Sequence, residues 1–352
     1  VTHSAAPTSD RPAVSAGGAA KLTIDLTALR SNWCYLNGKV GDGCTCAVVL
    51  KANGYGTGAA EVGKTLYHAG ARVFFVALPE EGIELRKELP HAEIYVLNGL
   101  FRDREKFYYD FDLKPVLNSL EEVAEWSSFA QSLQEELPAA LHFDTGMHRL
   151  GMSIGDALQI GESAHLLKGI RIDLVMSHLA CADTPDHGLN EKQLNRFQRV
   201  CELFPEARKS LSNSAGIFLG DDYHFDMVRP GIALYGGNPV PDETNPMLPV
   251  AHVQAEIISL REVPHGDPVG YGASRVTPRK SRIATINAGY ADGLHRLVGS
   301  SDDQPNGARV YIGGHFAPIF GRVSMDMIAV DVTDIPEEHL SRGALLRLWG
   351  RM

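Results

Sequence analysis

Eight short apolar runs, most of them parted by amphipathic stretches, punctuate the chain up to residue 236 and limit its fold more than any other feature. They are CAVVLKA (46–52), VFFVAL (73–78), EIYVLN (93–98), LKPVLN (113–118), ALHFD (140–144), IDLVMSHL (172–179), SLSNSAG (210–216) and DMVRPGIALYG (226–236). Between them, segments such as 80–89, 120–137 and 190–204 repeat apolar residues at three and four positions, the spacing of a helix with one buried face. Strand-length runs alternating with such helices imply βα units around a parallel sheet. Eight units suit a closed (β/α)8 barrel of the TIM type, which needs about 250 residues, better than an open doubly wound sheet. The charged residues of the helices read as a solvated outer face.

The pattern changes at GGNPVPDETNPMLP, a Pro, Gly and Asn cluster with the character of a linker. Beyond it, β-branched runs (VQAEIISLREV, SRIATINAGY, ARVYIGG, MIAVDV) follow with turn signals and no convincing long helix. The expected organisation is therefore a tail over residues 1–20, a barrel over 21–245 and a mostly β domain over 246–352. The tail, rich in Ala, Ser, Pro and Gly, has neither the basic start nor the apolar middle of a secretory signal, so export is not expected.

Composition excludes several classes of function. A net charge of −10 disfavours nucleic acid, whose phosphates need a basic surface. No apolar run approaches the roughly 18 to 20 residues of a membrane span. The 5 cysteines, an odd number scattered over 352 residues, suit reduced thiols in a cytoplasm better than a disulfide framework. A small-molecule substrate is expected.

Active sites of such barrels lie at the carboxyl ends of the strands. Those ends carry Lys51, Asn53 and Tyr55; Asp144 to Arg149; His178; Ser214; and Arg229 to Ile232. A lysine closing a buried strand is costly unless paired or covalently engaged, and lysine is the side chain that forms Schiff bases. The loops after the seventh and eighth strands, SNSAG and RPGIALYG, offer a hydroxyl and small-residue backbone N–H groups, as a phosphate requires. A lysine and a phosphate pocket in one site imply pyridoxal phosphate, whose aldehyde engages the amine. The competing reading, a dinucleotide fingerprint in the glycines around Gly54 and Gly56, lacks a clear acidic ribose partner about 20 residues on. The group His178, Cys181, Asp183 and His187 fits no standard zinc spacing, so no metal is expected.

The segments AVVLKANGYGTG, DTGMHRLGM, SNSAG, VRPGIALYG, VGYGASR, NAGYADGLHR and GRVSMDM, in this order, resemble the successive signatures of the alanine racemases, from Lys21 to Met352. The resemblance implies a cytoplasmic homodimer that interconverts L- and D-alanine, supplying D-alanine for peptidoglycan. Lys51 resembles the lysine that holds pyridoxal phosphate and acts as one base. Tyr271 resembles the second base, contributed by the neighbouring subunit on the opposite face of the cofactor. Tyr55, Ser214 and the backbone of Gly231 and Ile232 resemble the phosphate contacts, and Arg229 the arginine facing the pyridine nitrogen. A guanidinium cannot accept a proton, so the nitrogen beside it stays unprotonated and the ring draws electrons less strongly. Through His178 the family links Arg229 to the tyrosine, whose phenolate needs nearby positive charge to form at neutral pH. Arg149 resembles the arginine that binds the substrate carboxylate; Met325 supplies a backbone contact to it and Tyr290 lines the entry channel.

Two features depart from that pattern. His142 stands where many members carry a carbamylated lysine that orients the carboxylate-binding arginine, and histidine brings no fixed negative charge. The family also continues past LLRLWGRM into a segment with another tyrosine near the phosphate, and this chain ends before it. Racemisation of serine or another small amino acid is the nearest alternative activity. A decarboxylase of the same barrel class would need glycine and cysteine motifs not found here, and a non-catalytic cofactor carrier would lack the β domain.

Overall fold

The structure, a computed structural model, describes residues 20–350 and divides into two compact units, one spanning Ile24–Val250 and the other holding residues 251–350 together with 20–23. The tail expected over 1–20 lies, up to residue 19, outside the described residues.

All eight apolar runs contribute to strands of the first unit. The first strand, Thr45–Cys46 and Val48–Val49, is followed by Val73–Val76, Glu93–Val96, Lys114–Leu117, Leu137–His142, Ile170–Met176, Arg208–Ser210 and Met227–Val228, every pair parallel. Hydrogen bonds from Asp226 N to Lys209 O and from Arg229 N to Ser212 O join the eighth strand to the seventh. Those from Thr45 N to Asp226 O and Ala47 N to Val228 O join it to the first, so the ring closes. The seventh strand is only 3 residues long and ends where the sequence run began. Its remainder is a turn, because the Asn213 side chain accepts the Gly216 N–H and draws the chain out of extension.

Alternation along each strand sorts the interior. Ala47, Val49, Val73, Phe75, Tyr95, Val116, Ala140, Leu174, Met176 and Met227 pack inside the barrel, while Phe74, Val76, Ile94, Val96, Leu141 and Val175 face the helices. Continued two residues upward, the same parity aims Lys51, His142, His178 and Arg229 into the mouth of the barrel. The helices follow their apolar spacing closely. The one expected over 120–137 stops at Leu133, where Gln134 takes a left-handed conformation with φ 57°.

The second unit is built of antiparallel strands and short 3-10 turns, with no α-helix among its described residues. Its sheet runs His315–Pro318, Arg309–Ile312, Leu345–Trp349, Ala251–Val263, Ser281–Ile286 and Ile328–Asp331, with Ala20–Ile24 paired to the long Ala251–Val263 strand. Ile257, Ile286, Val330, Val332 and Leu346 form its core.

Candidate active site

A cavity of about 760 Å³ opens at the carboxyl end of the barrel. Lys51, Tyr55, Arg149, His178, Ser214, Arg229, Gly231 and Ile232, all singled out from the sequence, line it together with His142.

Lys51 leaves the first strand into a single left-handed turn. Ala52, Asn53, Gly54, Tyr55 and Gly56 have φ values of 55°, 52°, 62°, 56° and 82°. Beside the two glycines, Ala52, Asn53 and Tyr55 carry this bend too, at a cost of about 1–2 kcal/mol for each L residue in that region. Side chains hold the turn. Glu81 accepts Ala52 N at 2.6 Å with one oxygen and Ala77 N and Leu78 N with the other, and Asn53 Oδ1 accepts Ala59 N at 2.9 Å. Burial lowers the pKa of the Lys51 ammonium, and the Arg149 cation lowers it further against the opposing pull of Glu81.

Across the mouth, the Ser214 hydroxyl accepts both Gly231 N (2.9 Å) and Ala233 N (3.2 Å). The Tyr55 hydroxyl presses so closely on Gly231 that a Cβ there would collide with it, and its ring stacks on Tyr235 at 4.5 Å. Glycine at 231 thus admits the Tyr55 hydroxyl at close approach, and burial raises the pKa of the Tyr55 phenol.

Arg229 is fully enclosed. It donates to the Ser210 hydroxyl, to Ser177 O at 2.6 Å and to Leu211 O at 3.4 Å, and lies 3.5 Å from His178 Nδ1. None of these partners is an anion. Burial pulls the Arg229 pKa down, but a guanidinium has so high an intrinsic value that it remains charged. Burial and then the Arg229 charge hold His178 well below the usual imidazole range.

His142 closes the fifth strand with its Nδ1 2.7 Å from Asn118 Oδ1. Because Asn118 Nδ2 donates to Val116 O, its oxygen faces the ring, so His142 Nδ1 is the donor and Nε2 keeps the lone pair. Burial, followed by the Arg229 charge, lowers the His142 pKa to about 4. The loop beyond it is knotted by Asp144, whose Oδ1 accepts the N–H groups of Gly146, Met147 and His148 before the chain reaches the exposed Arg149.

The remaining residues marked in the sequence belong to the second unit. Tyr271 begins a 3-10 turn and is 71% exposed. Tyr290 N bonds to Ser324 O and Ala291 N to Met325 O, which brings Tyr290 and Met325 onto adjoining loops. A Cβ at Gly289 would strike the Met325 carbonyl, so those loops meet only through glycine. Sequence reasoning missed Ser177, Ser210, Asn118 and Tyr235. Tyr235 had a signal, since it lies within the phosphate-loop segment RPGIALYG; the two serines and Asn118 look like ordinary strand-end polar residues.

A barrel mouth that combines an inward lysine on a strained turn, a buried cation without a counter-ion and a hydroxyl-capped glycine loop defines a barrel enzyme built around an anionic ligand. The family models narrow this: residues 24–239 match the alanine racemase N-terminal domain and residues 250–352 the C-terminal domain. The chain belongs to the alanine racemase family. It is 46% identical to the biosynthetic alanine racemase of Agrobacterium fabrum over 94% of this chain and 85% of that protein, and 48% identical to the catabolic one over 96% and 85%. Among solved structures, alanine racemase from Bartonella henselae with covalently bound pyridoxal phosphate superposes with a TM-score of 0.88 at 38% identity, covering 94% of this chain and 90% of that one.

Proposed function

We propose that this chain interconverts L-alanine and D-alanine with pyridoxal 5'-phosphate held at the barrel mouth, in a cytoplasmic homodimer. The observation that carries this reading is the convergence of Lys51, Arg149, Arg229 and the Ser214–Gly231 loop on one cavity. The wall suits the cofactor: Arg229 is a buried cation with no anionic partner among the described residues, Ser214 orients the loop N–H groups, and Tyr55 backs onto Gly231. When bound, pyridoxal phosphate supplies an aldehyde for amine exchange and a conjugated ring that spreads the negative charge left as the α-proton departs.

Everything else falls to the chain. Arg149 grips the substrate carboxylate through paired N–H donors and so fixes which bond at the α-carbon stands exposed. Lys51, its pKa lowered by burial, has more free amine at neutral pH than an ordinary lysine and takes or returns the α-proton at Nζ. Arg229 offers donors and no acceptor, so it orients the ring without taking a proton. Inversion needs a second acid or base on the opposite face, and Tyr271, exposed in the second unit, is assigned that role from a second copy of the chain. His178 is assigned to relay the Arg229 charge toward it. Met325 and Tyr290 line the approach, Met325 through its backbone. All five cysteines are free thiols, as a reducing compartment would keep them. Among the described residues no helix is long and apolar enough to cross a membrane.

The test is exchange of the α-proton of each alanine enantiomer in deuterated water, with serine and larger amino acids alongside. Exchange and inversion of alanine above all others are expected; a protein that releases carbon dioxide from its substrate instead would belong to a different reaction class. Mixing inactive Lys51→Ala and Tyr271→Phe chains should restore activity through hybrid dimers. Persistent inactivity of the mixture would remove the shared site.

A further inference from the structure

The helix Leu189–Leu203 buries polar groups on the face it turns to the barrel, where an amphipathic helix should bury only apolar ones. Gln193 is fully enclosed, lies behind the cavity wall rather than in it, and has every hydrogen-bonding atom engaged. Its Oε1 accepts Ala180 N at 2.9 Å, and its Nε2 donates to His178 O at 2.9 Å and Thr145 Oγ1 at 3.2 Å. Turning the amide over would set its NH2 against the Ala180 N–H, so the orientation is fixed.

These bonds reach two separate loops. Thr145 starts the Asp144-knotted turn that ends at Arg149, and Arg196, three residues along the same helix face, donates to Thr145 O at 2.9 Å. The turn lies so close that a Cβ on Gly146 would sit 3.2 Å from Arg196 Nη1 and 3.5 Å from Gln193 Cγ. His178 and Ala180 follow the sixth strand; the carbonyl of the preceding Ser177 accepts from Arg229, and its hydroxyl shares a hydrogen bond of 2.7 Å with Thr145 Oγ1. One buried amide therefore spans the loop that bears Arg149 and the strand end that bears His178 and supports Arg229.

We propose that Gln193 is a positioning residue that locks the Arg149 turn to the His178 strand end, so that the group gripping the substrate carboxylate and the group beside Arg229 keep one fixed separation. This rests on the roles given to Arg149 and His178 above. An amide that merely fills the core would set stability alone. A clamp sets the affinity for substrate, because a displacement of about 1 Å in a binding group can cost up to about a hundredfold.

The experiment uses the holoenzyme of Gln193→Met, which keeps the volume and removes all three bonds, beside Val200→Ala, a buried substitution on the same helix away from both loops. Gln193→Met is expected to raise KM for both alanine enantiomers about tenfold, to lower kcat less, and to retain the cofactor absorbance band. Val200→Ala should lower Tm and leave KM unchanged. If Gln193→Met lowers Tm with KM unchanged, as Val200→Ala does, the clamp is refuted. Should Gln193→Met fail to fold, Thr145→Val cuts the bonds from both Gln193 and Ser177 to the Arg149 turn and Ser177→Ala only the second: a KM raised in Thr145→Val and not in Ser177→Ala supports the proposal, and one unchanged in Thr145→Val or raised equally in both overturns it. Arg149→Lys separates the levels. If it leaves KM unchanged, the site reading and the clamp fall together, whereas a raised KM there with an unchanged one in Gln193→Met overturns the clamp alone.

Discussion

The two ends of the barrel interior obey opposite electrostatic rules. At the amino ends of the strands, Glu93 accepts from Lys114 at 2.7 Å, from Arg208 and from Tyr95 at 2.6 Å, while Asp173 takes Lys114 and Arg171. Asp173 reaches inward because it is the extra residue of a bulge, the pairing jumping from Ala139 with Ile172 to Ala140 with Leu174. At the carboxyl ends, Lys51, Arg149 and Arg229 meet two imidazoles, and no ion pair compensates them among the described residues. The lower layer is a satisfied network whose members stabilise one another; the upper one is an assembly of like charges kept apart from counter-ions, as a site awaiting an anionic ligand must be. Stability and chemistry are segregated along one barrel axis.

That contrast can be broken most directly at Lys51. Lys51→Ala should lower racemisation on the order of a thousandfold or more and abolish the cofactor's absorbance band, since in the proposed mechanism base and attachment point vanish together. The Tm of the cofactor-free protein should hold or rise, because an unfavourably placed ammonium is lost. A fall in Tm comparable to that of a core cavity would mean that the upper charges stabilise the fold. At the other end the signs reverse. Glu93→Gln leaves Lys114 and Arg208 poorly paired and is expected to cost about 3 kcal/mol in urea unfolding, with kcat/KM per folded molecule unchanged. Lost activity in the folded fraction would couple the layers that the geometry separates.

The sequence displayed the upper layer far better than the lower. Lys51, His178 and Arg229 are legible because each follows an apolar run at the parity that points inward. Glu93, Lys114 and Asp173 sit within such runs, where a charge looks like a frayed strand end, and their pairing depends on residues up to 115 positions apart and on a bulge. Gln193 stayed hidden for a related reason. In NEKQLNRFQRVCELF the polar residues at three-residue spacing suggest a solvated face, and only the packed barrel shows that two loops fold over it. The left-handed turn was half visible: its glycines announce a bend, but Ala52, Asn53 and Tyr55 are forced into it by Glu81 and Asn53, partners that only the closed structure supplies.

Acid should separate the two layers by pH. Burial and then the Arg229 charge, opposed by Asp144 and helped by Arg149, lower His142 from its ordinary 6.5 to about 4 in the folded chain, so the unfolded chain binds its proton first. Its stabilising contribution is therefore complete above about pH 6.5 and is lost as pH falls toward 4, a total of about 3 kcal/mol. His178 shifts in the same direction and adds to the slope. In the lower layer Glu93 and Asp173 lie below their ordinary 4.5 and 3.8, so their contribution starts to fail only near and beneath those values. Urea unfolding from pH 7 to 3 should show the loss in two stages, the first shallower in His142→Asn by about one proton. A single stage confined below pH 4.5 would mean that the imidazoles are not held neutral.

The smallest effect is expected from strain, which the turn after Lys51 concentrates in five consecutive left-handed residues. Ala52 holds φ 55° next to Lys51, a conformation that costs an L residue about 1–2 kcal/mol and costs glycine almost nothing. Ala52→Gly relieves that penalty but frees the unfolded chain, which returns about 0.4–1 kcal/mol. The balance favours the variant by about 0.5 kcal/mol, because the Glu81 and Asn53 bonds to Ala52 N and Ala59 N use backbone donors and an asparagine that the substitution leaves in place. Lysine anchored on a looser turn should be a poorer base, so kcat is expected to fall about twofold while urea stability rises. A destabilised Ala52→Gly would show that the turn is relaxed as it stands, leaving charge as the feature that marks the mouth of the barrel.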